Sequence, residues 1–363
     1  MAPTRGQGHG HARLKDIAER AGISKAAVSF ALSGSTKVSE KTRRKIRALA
    51  NKFGYKPNPI VSSVMSQIKN GGEKKFLETI VLINANKSKD APKKYPIFSK
   101  YIDGVRSESA EIGYAVYEIW LHEKSLNAQR LETILDSRGI RGGIIVGHAD
   151  DTTLPPFFSN IWTKFKFVSA GIRTRNPVFD FISADKFLIA HFATTNIIRS
   201  GYKRPALVID EHIDEVVEGR FIGGFLRAQL ALPENARIPP FLEVAKARKN
   251  PKAFFDWVSK HKPDAIFSIS NTTSEWLEKP EISGKISGFT DIVQLERRSE
   301  SGEWMAIDQN YELVGRLAVR KLFEILNAPQ SSTRAPTATI VQPNWNRKLL
   351  VSKPRANRKK VND

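Results

Sequence analysis

The side chains with the most chemical reach in this sequence are cations, and they are gathered at one end. Residues 1–75 carry 16 Lys and Arg against 4 Asp and Glu, a net of +12. Residues 347–363 carry 7 against 1, a net of +6, and the 271 residues between them hold 35 against 32, a net of only +3. A basic head on a near-neutral body points to contact with a polyanion, nucleic acid first; solubilising charge is the bland alternative. Groups for covalent or metal chemistry do not assemble in the same way. None of the 363 residues is Cys, which removes disulfides, thiolate metal sites and thiol nucleophiles together. The seven His are scattered: His9 and His11 sit in a Gly-rich start, and His122-Glu123 lacks a second His at metalloprotease spacing. Gly142-Gly143 and Gly147 are not followed by the Lys-Ser/Thr of a phosphate loop, and no Gly-x-Ser-x-Gly elbow occurs. The expectation is a binding protein and not an enzyme, with no catalytic residues, no cofactor and no metal.

The elements that must position the basic head are helical. Leu14, Ile17, Ala18 and Ala21 share one helical face, and Gly22 ends that helix. Ser24 is placed to cap a second helix carrying Ala27, Val28, Ala31 and Leu32 inward. Ser39 is placed to cap a third, with Thr42, Ile46, Leu49, Ala50 and Phe53 at helical spacing. Helix, three-residue turn with glycine, helix is the arrangement that places a second helix in the DNA major groove, although many helical hairpins share it. Asn58 then caps a linker helix with Pro59 at its first position, running from Ile60 to Ile68.

Beyond Lys75 the pattern changes to apolar runs alternating with amphipathic stretches. Strands are expected at Thr79–Ile83, Ala115–Ile119, Gly143–Gly147, Phe165–Ser169, Ala206–Asp210, Ala265–Ser270 and Lys285–Phe289. Helices are expected at Phe98–Ile112, Asn127–Ser137, Lys186–Ser200, Gly219–Leu230 and Asn310–Leu326. Such alternation predicts parallel sheets covered by helices, in two α/β lobes, with a ligand outside the carboxyl ends of the strands. Apolar residues make up 40% and charged residues 26%, as in a soluble globular chain, and no run reaches the ~18 apolar residues of a membrane span. The first residues lack the apolar stretch of a signal peptide, so the expected location is the cytoplasm.

The run from Arg13 to Asn58 resembles the DNA-binding head of the LacI/GalR family of bacterial transcription regulators. The matching elements are Leu14-Lys15-Asp16-Ile17-Ala18, Ala21-Gly22-Ile23-Ser24, Val28-Ser29, Val38-Ser39, Thr42-Arg43 and Gly54-Tyr55-Lys56-Pro57-Asn58. The resemblance implies that Lys25, Ala26 and Ser29 face base edges. Ser24, Ser39 and Thr42 would act as caps and phosphate contacts; Lys41, Arg43, Arg44, Lys45 and Arg47 either line the DNA backbone or, for some of them, form a solvated face. Phe30 departs from the usual arginine; it offers apolar contact to a thymine methyl or packs against a neighbouring helix. The linker resembles the family's hinge helix, which wedges a leucine into the minor groove. Val64 stands at that leucine position with Met65 beside it, so either a shallower wedge, a Met65 wedge or a plain linker helix fits.

Over most of residues 76–345 the resemblance extends, more loosely, to the family's periplasmic-binding-protein-like body. Tyr95-Pro96-Ile97-Phe98 replaces an Asn-Pro-aromatic-aromatic motif, Gly201-Tyr202-Lys203-Arg204 matches Gly-His-Arg-Arg, and Asp185 stands first in an Asp-Asn pair. Arg220, Ser270-Asn271 and Gly288-Phe289-Thr290-Asp291 match further positions. Arg220 and Asn271 are then the implied polar effector ligands, Ile97 and Phe98 the apolar cover, and Thr290 a further pocket position. His148 is a third contact or a surface loop residue. Without the resemblance, Arg220 reads as a surface ion-pair partner. Thr272 and Thr290 replace two aspartates, making the implied pocket less negative and more tolerant of a uronate or sugar phosphate.

The fold expectation is therefore α + α/β: an N-terminal helix-turn-helix three-helix head, a linker (hinge) helix, and a two-lobed periplasmic-binding-protein-like α/β body with parallel sheets. The expected domains are a disordered start at 1–12, the DNA-binding domain at 13–56, the hinge and linker at 57–75, the effector-binding and dimerisation domain at 76–346, and a disordered basic tail at 347–363. The expected partners are double-stranded DNA carrying a pseudo-palindromic operator, a small-molecule effector (a sugar or sugar acid), and a second copy in a homodimer, with no membrane. The function implied is a regulator, of repressor type, whose operator affinity the effector controls. The alternative is a sugar-binding or sugar-kinase-like protein with a nonspecific basic head.

Overall fold

A computed structural model describes residues 14–32, 38–53, 78–147, 152–270, 272–277, 291–296, 305–328 and 335–344. The chain divides into two compact units, Met1–Lys75 and Phe76–Asp363.

The first unit contains helices α1 (Leu14–Ala21), α2 (Lys25–Leu32) and α3 (Glu40–Lys52). Their apolar faces close on Ile17, Ala18, Val28, Ala31 and Ile46, with Ile23, Leu49 and Phe53 packed around them. A core this small leaves little interior for a ligand. The chain turns sharply between α1 and α2 because Gly22 takes φ 68°, and the Ile23 N–H then reaches back to the Ala18 carbonyl at 3.2 Å. That closure satisfies an orphan carbonyl at the helix end and needs a residue without a Cβ penalty.

The second unit contains two parallel sheets. The first has six strands in the order β10-β5-β4-β3-β1-β2, the second four in the order β6-β7-β8-β9. The strands of the first sheet are β1 (Glu78–Asn84), β2 (Tyr114–Trp120), β3 (Gly142–Val146), β4 (Lys166–Ala170), β5 (Asp180–Ala184) and β10 (Ala338–Val341). Those of the second are β6 (Pro205–Val208), β7 (Ala265–Ser268), β8 (Asp291–Gln294) and β9 (Met305–Ala306). Both faces of each sheet are buried, as parallel strands require. In the first sheet Ile80, Leu82 and Ile144 pack under the helices Pro96–Ile112 and Tyr311–Asn327, while Val81, Ile83 and Ile145 face Leu131, Leu135 and Trp162. In the second, Leu207 and Phe267 meet Ile189, Phe221 and Phe225, and Ala206, Val208 and Ile266 meet Phe254 and Val258.

The helices expected from periodicity occur at Pro96–Ile112, Ala128–Ser137, Lys186–Arg199, Arg220–Gln229 and Tyr311–Asn327. The expected strand at residues 285–289 lies outside the described residues. Four strands went unanticipated, β5, β8, β9 and β10: β9 spans two residues and the edge strand β10 is buried only at Val341, so neither of these two carries a strong apolar run.

The chain passes between the sheets after β5, between β9 and the Tyr311–Asn327 helix, and again after β10. The three passes are hydrogen-bonded to one another. The Asp185 N–H donates to the Val341 carbonyl at 2.9 Å and the Asn344 N–H to the Asp308 carbonyl at 2.8 Å. Asn310 Nδ2 donates to the Gln342 carbonyl at 2.8 Å. Among the described residues no helix is long and apolar enough to cross a membrane.

Candidate DNA-reading helix and effector cleft

In the head, Ser24 Oγ accepts the Ala27 N–H at 3.1 Å, fixing the start of α2. Val28 and Ala31 are fully buried, so the core face of α2 is spoken for, while Lys25 at its first turn is exposed. Phe30 is half-buried. Ala26 and Ser29 belong to the same helix by their backbone; their side chains lie outside the described residues. Ser39 Oγ accepts the Thr42 N–H at 3.3 Å and shares a hydrogen bond with Thr42 Oγ1 at 2.9 Å, which caps α3. Glu40 draws in two α3 arginines, Arg43 at 2.7 Å and Arg44 at 3.4 Å. Lys41, Lys45 and Arg47 are exposed. Asn58, Val64 and Met65 lie outside the described residues.

In the body, a narrow cleft of about 10 Å³ lies between the two sheets, near the carboxyl ends of β4 and β5. Its first wall is made by Gly171 and Arg173 after β4, Phe181 and Ser183 of β5, Lys186, and Ile340 of β10; its second is the segment Val216–Arg220, which follows β6. Arg220 is the first residue of the Arg220–Gln229 helix, and the two residues before it are left-handed, Glu218 at φ 63° and Gly219 at φ 72°. Gly219 has no side chain to cap this helix. Asp214 does so instead, its Oδ1 accepting the Phe221 N–H at 3.0 Å and the Ile222 N–H at 3.3 Å. Burial pushes the Asp214 carboxyl up from its ordinary value, against those two hydrogen bonds.

Glu218 sits between two guanidinium groups. Arg220 Nη2 is 3.5 Å from Glu218 Oε2, and Arg173 Nε is 3.1 Å from Glu218 Oε1. The second contact is an ion pair by distance without hydrogen-bond geometry: Arg173 Nε is buried and finds no hydrogen-bond acceptor. The Arg173 guanidinium lies 4.6 Å from the Phe181 ring centre. Lys186 is 5% exposed, and its ammonium donates to the Gln309 side-chain carbonyl. The rings of Tyr311 and Phe221 stand 5.0 and 5.7 Å from Nζ. Burial pushes the Lys186 amine down to about 8, an effect that the nearby charge of Glu296 opposes.

Residues 13–58 match the family model described as bacterial regulatory proteins, lacI family. The HTH-type transcriptional regulator MalR of Streptococcus pneumoniae is 22% identical over 325 residues, 86% of this chain and 92% of that protein. The head, residues 13–58, is therefore of the LacI-family type, and the likeness to a LacI-type regulator extends over most of the chain. Among solved structures, the transcriptional regulator CelR–cellobiose complex aligns with 92% of this chain and 98% of its own, at TM-score 0.54 and 19% identity. The lac repressor dimer bound to operator and the anti-inducer ONPF aligns over 92% and 96%, at TM-score 0.52 and 16% identity. Both agree with a helix-turn-helix head and a two-lobed periplasmic-binding-protein-like body.

Of the LacI-family positions expected to bind an effector, the structure places Arg220 on the cleft wall. Ile97 and Phe98, at the start of the Pro96–Ile112 helix, are half-buried against the core of the first sheet and are not among the residues lining this cleft. His148, Asn271 and Thr290 lie outside the described residues. Thr272, in place of an aspartate, is held by Ser270: its N–H donates to Ser270 Oγ at 3.2 Å and its Oγ1 accepts from the same hydroxyl at 2.9 Å.

Sequence reasoning passed over Arg173, Phe181, Lys186 and Glu218. For Lys186 a signal was present, since a lysine follows Asp185 where the family resemblance implies asparagine. For Arg173 there was none: it lies in a connection between two strands, of which only the first was anticipated.

Proposed function

We propose that this LacI-family chain is a repressor that binds a pseudo-palindromic operator as a homodimer and changes its grip when a small carbohydrate or carbohydrate derivative enters the cleft between its sheets. Its working parts are the DNA-binding domain at 13–56, a hinge and linker at 57–75, an effector and dimerisation domain at 76–346, and tails at 1–12 and 347–363. It works in the cytoplasm, where its DNA is. The observation that carries the reading is that Arg220, the arginine implied as an effector ligand, stands on the wall of an inter-sheet cleft in a chain whose head is a capped helix-turn-helix.

The proposed mechanism follows from where the cleft lies. Its walls come from both sheets, and three hydrogen-bonded chain passes join the sheets. A ligand touching both walls has different contacts when the sheets close or part, so it biases one arrangement over the other. DNA and effector then alter each other's affinity by the same factor. In the head, Lys25 and its α2 neighbours Ala26, Ser29 and Phe30 meet base edges, with Ser24, Ser39, Thr42 and Asn58 on the phosphates and Val64 or Met65 at the centre of the site. Binding in a cellobiose-bound regulator of the same fold supports a carbohydrate over other small molecules.

The test is selection of sites from random DNA duplexes by the full-length protein, followed by a carbohydrate panel on the selected site. A two-fold symmetric site weakened by one carbohydrate is the expected result. Enrichment of no site, with binding that only tracks salt, overturns the reading.

A further inference from the structure

The cleft contains cations that the surrounding protein leaves short of partners. We propose that its ligand carries an anionic oxygen group, carboxylate or phosphate, received by Lys186 together with Arg173 and Arg220. The inference rests on the reading of this cleft as the effector site and names the class of effector it takes.

Three observations carry it. Among the described residues, the charged ones lining the cleft are Arg173, Lys186 and Arg220 against one carboxylate, Glu218. One carboxylate shared by two guanidiniums leaves the Lys186 ammonium to a neutral acceptor, the Gln309 side chain. A buried ammonium facing an amide is poorly compensated, and its depressed proton affinity reports that cost, even with Glu296 acting on it from just beyond β8. Second, the buried Arg173 Nε–H stands 3.1 Å from Glu218 Oε1 without hydrogen-bond geometry, so a better-aligned incoming oxygen recovers free energy there. Third, Lys186 and Arg220 are each the first residue of a helix, of 14 and 10 residues, where the helix dipole disfavours a cation. The capping carboxylates, Asp185 on the Leu188 N–H and Asp214 on the Phe221 N–H, are spent on the helix ends themselves. Local preference therefore argues against both cations where they stand, and sites that break local rules are where function is expected.

A neutral sugar satisfies the Arg173 donor but leaves the charge imbalance untouched. An acid corrects both. Glu218 then acts as the internal competitor: the ligand's acid shares or takes over the guanidiniums that Glu218 now holds.

The experiment measures thermal shift and isothermal titration on the full-length protein with glucose, glucuronate, glucose 6-phosphate and inorganic phosphate, at constant ionic strength. Anions are expected to bind at least tenfold more tightly than glucose, and whichever of glucuronate or glucose 6-phosphate prevails separates carboxylate from phosphate. Glucuronate keeps one charge across the range, so its affinity is expected to fall about tenfold from pH 7 to pH 9, following the protonated fraction of Lys186. Lys186→Met is expected to erase that pH dependence without lowering the melting temperature, because it replaces an ill-compensated buried charge by an apolar side chain of similar length. Glu218→Gln is expected to strengthen anion binding severalfold. Lys186→Met binding anions as wild type does overturns the proposal, and so does a wild type that responds to no anion beyond chloride. Glucose binding while both acids fail overturns it too, yet leaves the carbohydrate-effector reading standing; that reading falls instead if no ligand of any charge changes operator affinity.

Discussion

Arg173 and Glu218 meet across the cleft from different sheets, with Arg173 Nε 3.1 Å from Glu218 Oε1. Arg173 follows β4 of the first sheet, and Glu218 belongs to the segment after β6 of the second. The carboxylate arrives there because Glu218 takes φ 63°, a conformation that side-chain-bearing residues pay for with about 1 kcal/mol or more. Strain and ion pairing therefore oppose each other at one position.

Two substitutions separate these effects. Glu218→Gly removes both and is expected to leave the melting temperature unchanged or slightly raised, since the lost pairs are partly exposed and worth about 0–1 kcal/mol each. Glu218→Gln keeps the backbone strain and loses the charge, so it is expected to melt lower, by about 1–3 °C. Calorimetry at low and high salt checks the cause: the gap between Glu218→Gln and wild type should narrow as salt rises. A Glu218→Gly protein that melts far below wild type would show the pairing to be the larger effect.

Adjacent glycines in one helix should respond in opposite directions. A Cβ at Gly224 would stand 2.2 Å from the Phe187 carbonyl oxygen, where the Arg220–Gln229 and Lys186–Arg199 helices cross. Backbone cannot yield as a side chain can, so Gly224→Ala should cost about 1–3 kcal/mol as the helices are forced apart. At Gly223 the nearest atom is the Phe187 ring at 3.7 Å, an ordinary contact. Gly223→Ala should therefore gain up to about 1 kcal/mol from helix propensity. Denaturant titration of both variants decides it; equal losses would mean that the crossing is looser than this geometry.

Lys186 should leave a mark on stability against pH. Its amine is pushed down to about 8 in the folded chain and returns to its ordinary value of 10.5 on unfolding. Below about pH 8 both states hold the proton, so the group contributes no slope. Between about pH 8 and 10 the unfolded state binds more protons than the folded one, and the contribution to stability rises with pH. Tyr101 and Tyr114, both raised by burial, act in the opposite sense only above the ordinary tyrosine range. Unfolding free energies measured at intervals across this window should climb more steeply for wild type than for Lys186→Met. Parallel curves would mean that the ammonium is well solvated.

The head offers a test of reading against positioning. Lys25 is exposed at the start of α2, whereas Lys45 is exposed on α3. Lys25→Ala should change which bases are preferred near the edge of the selected site, at about 1–3 kcal/mol. Lys45→Ala should weaken all sites alike and reduce the salt slope by about 1. Binding profiles over a library of site variants distinguish the two, and a changed preference in Lys45→Ala alone would reverse their assigned roles.

Much of this molecule was legible before folding because its signals are local. Ser24 and Ser39 cap helices where a hydroxyl precedes an apolar period, and Gly22 reverses the chain where a helix face runs out. The five long body helices announced themselves by period, and β1, β3 and β7 by short buried runs. Strand β10 did not, because a half-exposed edge strand lacks such a run, and its place beside β5 depends on a partner more than 150 residues away. Among the cleft residues, Arg220 was legible only through a family resemblance. Its charge and position in a helix alone fit a surface ion pair better, and the structure does give it one, with Glu218.

By itself, the sequence determined what depends on neighbours within a turn or two: helix ends, the recognition-helix geometry, the apolar faces, and the segregation of charge into head and tail. Tertiary structure alone decided which charges share a cleft. Lys186 meets Gln309 across 123 positions and Arg173 meets Glu218 across the gap between two sheets. Those encounters depend on how the three passes of the chain between the sheets are aligned. A proton affinity set by burial is likewise invisible until the surrounding helices and sheets have closed around the amine.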